Sequence, residues 1–169
     1  MPRLERLIHA DADNFFPADG LLRLAALLPG DIAAARAVAE RLKLSGADRA
    51  RLESLAALEK PASQPQEVRK QLYKSGAAAF KDRVRLAWAA AAPGANAIPW
   101  RMLLSVADAY EKPRFALTGH DVMQAGVPEG PEVGKILAQL EDWWIEHDFP
   151  DDGLAEQLAE QLKTLAGPK

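Results

Sequence analysis

Apolar residues recur every three or four positions along almost the whole chain, the period of a helix with one buried face. Leu4, Leu7 and Ile8 mark a short amphipathic turn. Asp19 reads as the N-cap of a helix over 21–28 that stops at Pro29-Gly30. Asp31 opens the next helix, with Ile32, Ala35, Val38, Ala39 and Leu42 expected on one face. Ser45 opens a third, carrying Leu52, Leu55 and Ala56 inward. PASQPQ at 61–66 has loop composition. Two helices follow, at about 66–74 and 77–92, the second expected to bury Phe80, Val84, Ala87 and Trp88. PGANAIP at 93–99 breaks the pattern, which Trp100, Leu103, Leu104, Ala107 and Tyr110 restart. Dense turn signals from 118 to 134 lead into a face made of Val133, Ile136, Leu137, Leu140, Trp143 and Trp144, and a last helix is expected at 153–166. No run alternates apolar and polar residues as a half-buried strand would. The expectation is an all-α fold, an irregular bundle of about eight or nine helices. Regions 1–112 and 113–169 are expected to form one continuous unit.

Charge changes that picture more than composition does. The net charge is −3, which on its face argues against a polyanion partner. Its distribution argues otherwise: residues 1–58 balance to zero, 59–115 carry +5 and 116–169 carry −8. Screening confines the reach of the acidic part to about 8–10 Å, so a basic middle can act locally. The chain has no cysteine, which excludes disulfides, thiolate metal sites and cysteine nucleophiles and favours a reducing compartment. Its longest uncharged stretch, 86–100, is interrupted by Pro93-Gly94 and falls short of the roughly 20 residues a spanning helix needs. With a charged N-terminus that lacks an apolar core, this predicts a cytoplasmic protein with no membrane partner.

Catalytic chemistry is hard to find. His9, His120 and His147 lie far apart in no metal-ligand spacing, and read as surface or capping residues. Asp11 and Asp13 are the nearest approach to a metal-binding carboxylate pair. Such a pair shares one side only on a strand, and here the context is a helix end, where capping or solvent exposure is the expectation. The basic residues are more suggestive. Lys81 and Arg85 are one turn apart on one face, Arg83 is rotated from them by about 200°, and Lys70 and Lys74 make a second basic pair. Contact with phosphates and a merely solvated helix face both account for this pattern. In the segment 118–137, Gly119 and Asp121 fit a helix start, Gly126 a helix end, and Gly130-Pro131 the start of the next helix. Gly134 sits inside that helix at a cost of about 1 kcal/mol, which close approach of another backbone would explain. An anion at this helix N-terminus is the other reading, although Glu129 and Glu132 already complement the dipole.

The segment TGHDVMQAGVPEGPEVGKILAQLEDWWIEHDFP resembles the C-terminal part of bacterial CCA-adding tRNA nucleotidyltransferases and the related poly(A) polymerases. Thr118, Gly119, Asp121, Val122, Gly126, Gly130, Pro131, Val133, Gly134, Ile136 and Leu137 match that family's pattern in order. The stretches 21–29 and 41–55 look like the helical body of the same enzymes. The resemblance implies a body-like region at 1–112 and a tail-like region at 113–169, which together hold tRNA. It implies that Lys70, Lys74, Lys81, Arg83, Arg85, Arg101 and Arg114 contact RNA phosphates and that the glycines of 119–134 shape the tail. Catalysis in the family belongs to an N-terminal head with a magnesium-binding acidic pair on a strand, and no such motif occurs here. The chain is therefore expected to be a non-catalytic C-terminal piece of such an enzyme, or a relative without the head. It would need no cofactor of its own, and its partners would be the 3′ end of tRNA or another RNA and a catalytic head in cis. Two other readings remain. AGVPEGPEVGKIL superficially looks like a DNA-binding helix-hairpin-helix, although Glu129 interrupts its turn and only Lys135 is basic nearby. A helical protein-interaction module would use Trp143 and Trp144 as its docking surface.

Overall fold

Helix starts in this chain are written locally, by side chains that satisfy backbone N–H groups the helix itself cannot. Asp19 Oδ1 accepts from the N–H of Leu22 at 3.0 Å, Asp31 Oδ1 from that of Ala33 at 3.0 Å, and Ser45 Oγ from that of Asp48 at 3.1 Å. The computed structural model describes residues 2–28, 30–57 and 60–165, with only the backbone of 164 and 165. Among these residues the fold is all-α, with no strand. The helices are α1 Pro2–Asp13, α2 Gly20–Leu27, α3 Ile32–Arg41, α4 Gly46–Ala56, α5 Pro65–Ala90, α6 Ile98–Asp108, α7 Gly119–Gln124, α8 Pro131–Glu146 and α9 Leu154–Leu165. The chain divides into two compact units, Met1–Glu111 and Lys112–Lys169.

The first unit is organised around α5. One side of this helix carries Leu86 and Ala89 into a cluster with Leu7 of α1, Leu22 of α2, Ala35 and Ala39 of α3, and Leu52 and Leu55 of α4. Its other side carries Val68, Leu72, Phe80 and Val84 against Leu104 and Ala107 of α6, with Trp88 and Trp100 at the edge. A helix buried on two sides must be apolar on both, and the inward stripe at Phe80 and Val84 is accordingly doubled by Leu86 and Ala89. Ala87 and Trp88, expected in that stripe, are only half-buried. Gly76 interrupts α5 with φ +79° and ψ 158°, a conformation open essentially to glycine alone, so the two helices expected here meet at a kink. The α3 expectation needs correction. Its buried stripe is Ala35 and Ala39, whereas Ile32 is 43% and Leu42 56% exposed, because Ile32 opens the helix and Leu42 lies beyond its last turn.

Charges thread the same unit. Arg85 Nε and Nη2 donate to Asp11 Oδ1 at 3.0 and 2.7 Å, both side chains are buried, and the guanidinium lies 5.0 Å over the Phe16 ring. Arg51 donates to Asp82 Oδ2 at 2.7 Å and to Asp19 Oδ2 at 2.6 Å, which ties α4 to α5 and to the cap of α2. Burial alone would raise the Asp19 pKa, but the hydrogen bonds from Arg51 and from the Leu22 N–H outweigh it and hold the carboxyl below its ordinary value of 3.8.

The second unit packs α7, α8 and α9 around Val122, Ile136, Leu140 and Leu158. The Thr118 N–H and hydroxyl both donate to Asp121 Oδ2, at 2.7 and 2.6 Å, within a capping box that starts α7. Those two hydrogen bonds hold the exposed Asp121 carboxyl below its ordinary pKa. Gly126 follows α7 at φ +104°, and Pro131 occupies the first turn of α8. A Cβ on Gly119 would meet Val133 Cγ1 at 3.4 Å, an ordinary van der Waals contact, so α8 packs beside this glycine with room for a methyl group. The expectation of a close approach at Gly134 is corrected: a Cβ there meets nothing within 4 Å. Trp144 is buried, donates its Nε1–H to the Pro150 carbonyl at 2.9 Å and meets Phe149 edge-on, which holds the turn after α8.

Two glycines should therefore answer to alanine with opposite signs in denaturant unfolding. Gly76→Ala is expected to destabilise by about 1–3 kcal/mol through backbone strain, and Gly134→Ala to stabilise by about 1 kcal/mol through helix propensity. The depressed Asp19 pKa contributes stability that is present above the unfolded value of 3.8 and is lost as pH falls through the lower folded value. Asp19→Asn is expected to flatten the loss of thermal stability that the parent shows on acidification below that value, measured as melting temperature against pH.

Candidate nucleic-acid interface

The basic residues that sequence spacing groups together have different neighbours in the folded chain, and those neighbours decide which can reach a phosphate. Arg85 points inward to Asp11, so the expectation that it shares an exposed basic face with Lys81 is corrected. The reason is physical: a guanidinium that has given up its water for a buried carboxylate and an aromatic ring cannot also serve a surface phosphate. Lys81 Nζ donates to Asp108 Oδ1 at 2.7 Å, which bridges α5 to α6, and remains partly exposed. Lys70 pairs with Glu67 at 3.0 Å one turn earlier, with only 13% of its side chain exposed. Lys74 is exposed on the N-terminal half of α5. Arg101 is exposed at the start of α6 and donates to Asn14 Oδ1 at 2.9 Å. Arg114 is exposed in the second unit.

Arg83 has a different setting. It is half-buried and lines a groove of about 450 Å³ together with Arg3, Lys60, Trp100, Leu86 and Ala90. Trp100 and Trp88 lie with ring planes 8° apart and centroids 6.5 Å apart, which fixes the indole at the groove. Arg3 and Lys60 do not figure among the residues that the sequence pattern proposes as phosphate contacts. Lys60 at least belongs to the basic middle. Arg3 belongs to a stretch of zero net charge, and no local signal places it beside Arg83.

The acidic and imidazole candidates resolve plainly. Asp11, expected as a cap or exposed, is buried with one oxygen committed to Arg85, whereas Asp13 is exposed. Among the described residues no group of three or more His, Asp or Glu converges as metal ligands would. His9 on α1, His120 on α7 and His147 at the C-cap of α8 are exposed, and each is bonded to a residue four positions away: the Glu5 carbonyl, the Gln124 amide and the Trp143 carbonyl respectively. In the tail motif, Asp121 caps, Gly119 packs, Gly126 turns the chain, and Gly130 and Pro131 start α8. Lys135 pairs with Glu132 at 3.1 Å, which occupies the cation that a DNA-gripping hairpin would use. Trp144 is buried, so of the tryptophan pair only Trp143 keeps exposed surface, half-buried and stacked on His147 at 4.3 Å.

Two of the basic residues should separate cleanly by mutation. Arg85→Ala is expected to cost about 3–5 kcal/mol, because it leaves Asp11 buried without its counterion. Lys81→Ala is expected to cost about 1 kcal/mol or less, because its bridge to Asp108 is solvent-exposed. Equilibrium urea unfolding of both variants measures the difference. Among the described residues no helix is long and apolar enough to cross a membrane. The chain matches no protein-family model, no curated protein and no solved structure.

Proposed function

We propose that this chain is the RNA-binding, non-catalytic helical region of a CCA-adding or poly(A) polymerase-type nucleotidyltransferase. The observation that supports this reading is the second unit: Thr118, Asp121, Gly126, Pro131, Val133 and Ile136, which carry the resemblance, are the residues that cap, turn and pack α7 against α8. The motif thus acts as a folding unit, as a tail holding RNA at a fixed geometry requires. The cations best placed for phosphates are the exposed Lys74, Arg101 and Arg114, whereas Arg83 is half-buried and Lys70, Lys81 and Arg85 are engaged with Glu67, Asp108 and Asp11. Catalysis and its magnesium ions belong, in this reading, to a head that supplies what these residues lack. The 3′ end of a tRNA would be held here and extended there.

Filter binding of tRNA across a salt series tests the reading. Affinity is expected to fall steeply with salt, and Lys74→Ala, Arg101→Ala and Arg114→Ala each to flatten the log–log slope by about one. No affinity for tRNA, or incorporation of CTP or ATP by the chain alone, would overturn it. One observation favours a protein-docking reading beside it. Ile98, Met102 and Val106, spaced by four along α6, are 61%, 63% and 47% exposed, an apolar stripe facing solvent. Met102→Glu is expected to leave tRNA affinity unchanged and, if a catalytic head docks on this stripe, to weaken binding of that head supplied as a separate chain.

A further inference from the structure

α1 ends in a turn that the chain closes with its own backbone. The N–H of Phe15 donates to the Ala12 carbonyl at 3.3 Å and that of Phe16 to the Asp11 carbonyl at 2.9 Å, the paired bonds of a Schellman motif. Such a turn needs a left-handed residue at position 15, a role that glycine or asparagine fills at least cost. Phe15 fills it here, at φ +56°. Its neighbour gains from the turn, because Phe16 folds back over the buried Arg85 guanidinium. Phe15 does not, and its ring stands 95% exposed. Phe149 offers the contrast within the same chain. It too has a positive φ, +59°, but its ring packs edge-on against Trp144 at 5.0 Å. Phe15 combines a strained backbone with an aromatic side chain that the fold leaves in water.

A cation is tethered one residue from this ring. Arg101 of α6 is exposed and donates from Nε to Asn14 Oδ1 at 2.9 Å. Asn14 is neutral, so the bond orients the guanidinium without cancelling its charge. We propose that Phe15 and Arg101 together hold one unpaired nucleotide of an RNA strand, its base stacked on the Phe15 ring and the adjoining phosphate on Arg101. This assignment rests on the RNA-binding reading above and deepens it: the RNA held here is single-stranded, because a base offers its face to a ring only when it is out of its helical stack. A ring presented singly beside a cation matches one base and its phosphate, whereas a protein partner would call for the wider apolar surface of an interface core. The exposed Asp13 carboxylate, two residues before Phe15, repels a phosphate and leaves the Arg101 side of the turn to receive it.

Binding of the full chain to single-stranded oligoadenylate, to an RNA duplex of equal length and to tRNA, each across a salt series, tests the pair. Phe15→Gly is expected to weaken oligoadenylate about tenfold and to leave the duplex unchanged. Its salt slope on oligoadenylate is expected to match that of the parent, since stacking releases no counterion, whereas Arg101→Ala is expected to flatten that slope by about one. Phe15→Trp is expected to bind oligoadenylate at least as tightly as the parent. Glycine fits a left-handed position without strain, so Phe15→Gly folds and its loss of affinity belongs to the ring. Oligoadenylate affinity unchanged in Phe15→Gly, or an equal loss for strand and duplex, overturns the pair. If tRNA binds with a steep salt slope while oligoadenylate does not bind, the pair is overturned and the RNA-binding reading stands. If oligoadenylate binds through Phe15 while tRNA does not bind, the pair is supported and the tRNA reading fails. Self-association of the chain that is lost in Phe15→Gly overturns the pair in favour of an interface between copies.

Discussion

Burying a guanidinium and a carboxylate strips several kcal/mol of hydration from each, and only close, well-directed pairing recovers it. The first unit accepts that cost at Arg85 and Asp11, which meet through two hydrogen bonds across 74 positions of sequence. Most of the architecture around α5 follows. The pair fixes the rotation of α5 against α1, so that Leu86 and Ala89 face the cluster of α1–α4 while Phe80 and Val84 face α6. Phe16, just beyond α1, closes over the guanidinium and keeps water away from it. Removing either partner would leave the other charged and dry, which makes this a more rigid constraint than any one apolar contact of the same core.

That commitment also redistributes the positive charge of the middle segment. A +5 stretch suggests an extended basic face, yet folding uses Arg85 inside, Lys81 as a bridge to Asp108 and Lys70 as a partner of Glu67. The cations left at the surface are fewer and more dispersed. Arg3, Lys60 and Arg83, from three distant segments, line one groove together.

What could be read from the sequence divides along the same line. Caps are local chemistry, and Asp19, Asp31 and Ser45 stand where their spacing to the first apolar turn puts them. Breaks are equally local: Gly76 and Gly126 adopt positive φ, and Pro131 begins α8. Periodicity fails where it cannot distinguish a helix interior from its ends, as at Ile32 and Leu42. It fails more seriously for charge. Whether a lysine or arginine faces water or a carboxylate depends on a partner many residues away, and neither Asp11 opposite Arg85 nor Arg3 beside Arg83 leaves a local trace.

The tail motif shows how far a resemblance carries once its residues have physical roles. Thr118 and Asp121 start α7, Gly119 packs beside Val133, Gly126 reverses the chain, and Pro131 begins α8. Any sequence making this helix pair would benefit from them, so they speak for the fold of the unit more than for its partner. Gly134 is different. It weakens α8 by about 1 kcal/mol relative to alanine, has open space where a Cβ would stand, and packs against nothing that needs its absence. Gly134 lies on the open surface of α8, outside the core that Val122, Ile136 and Leu140 build.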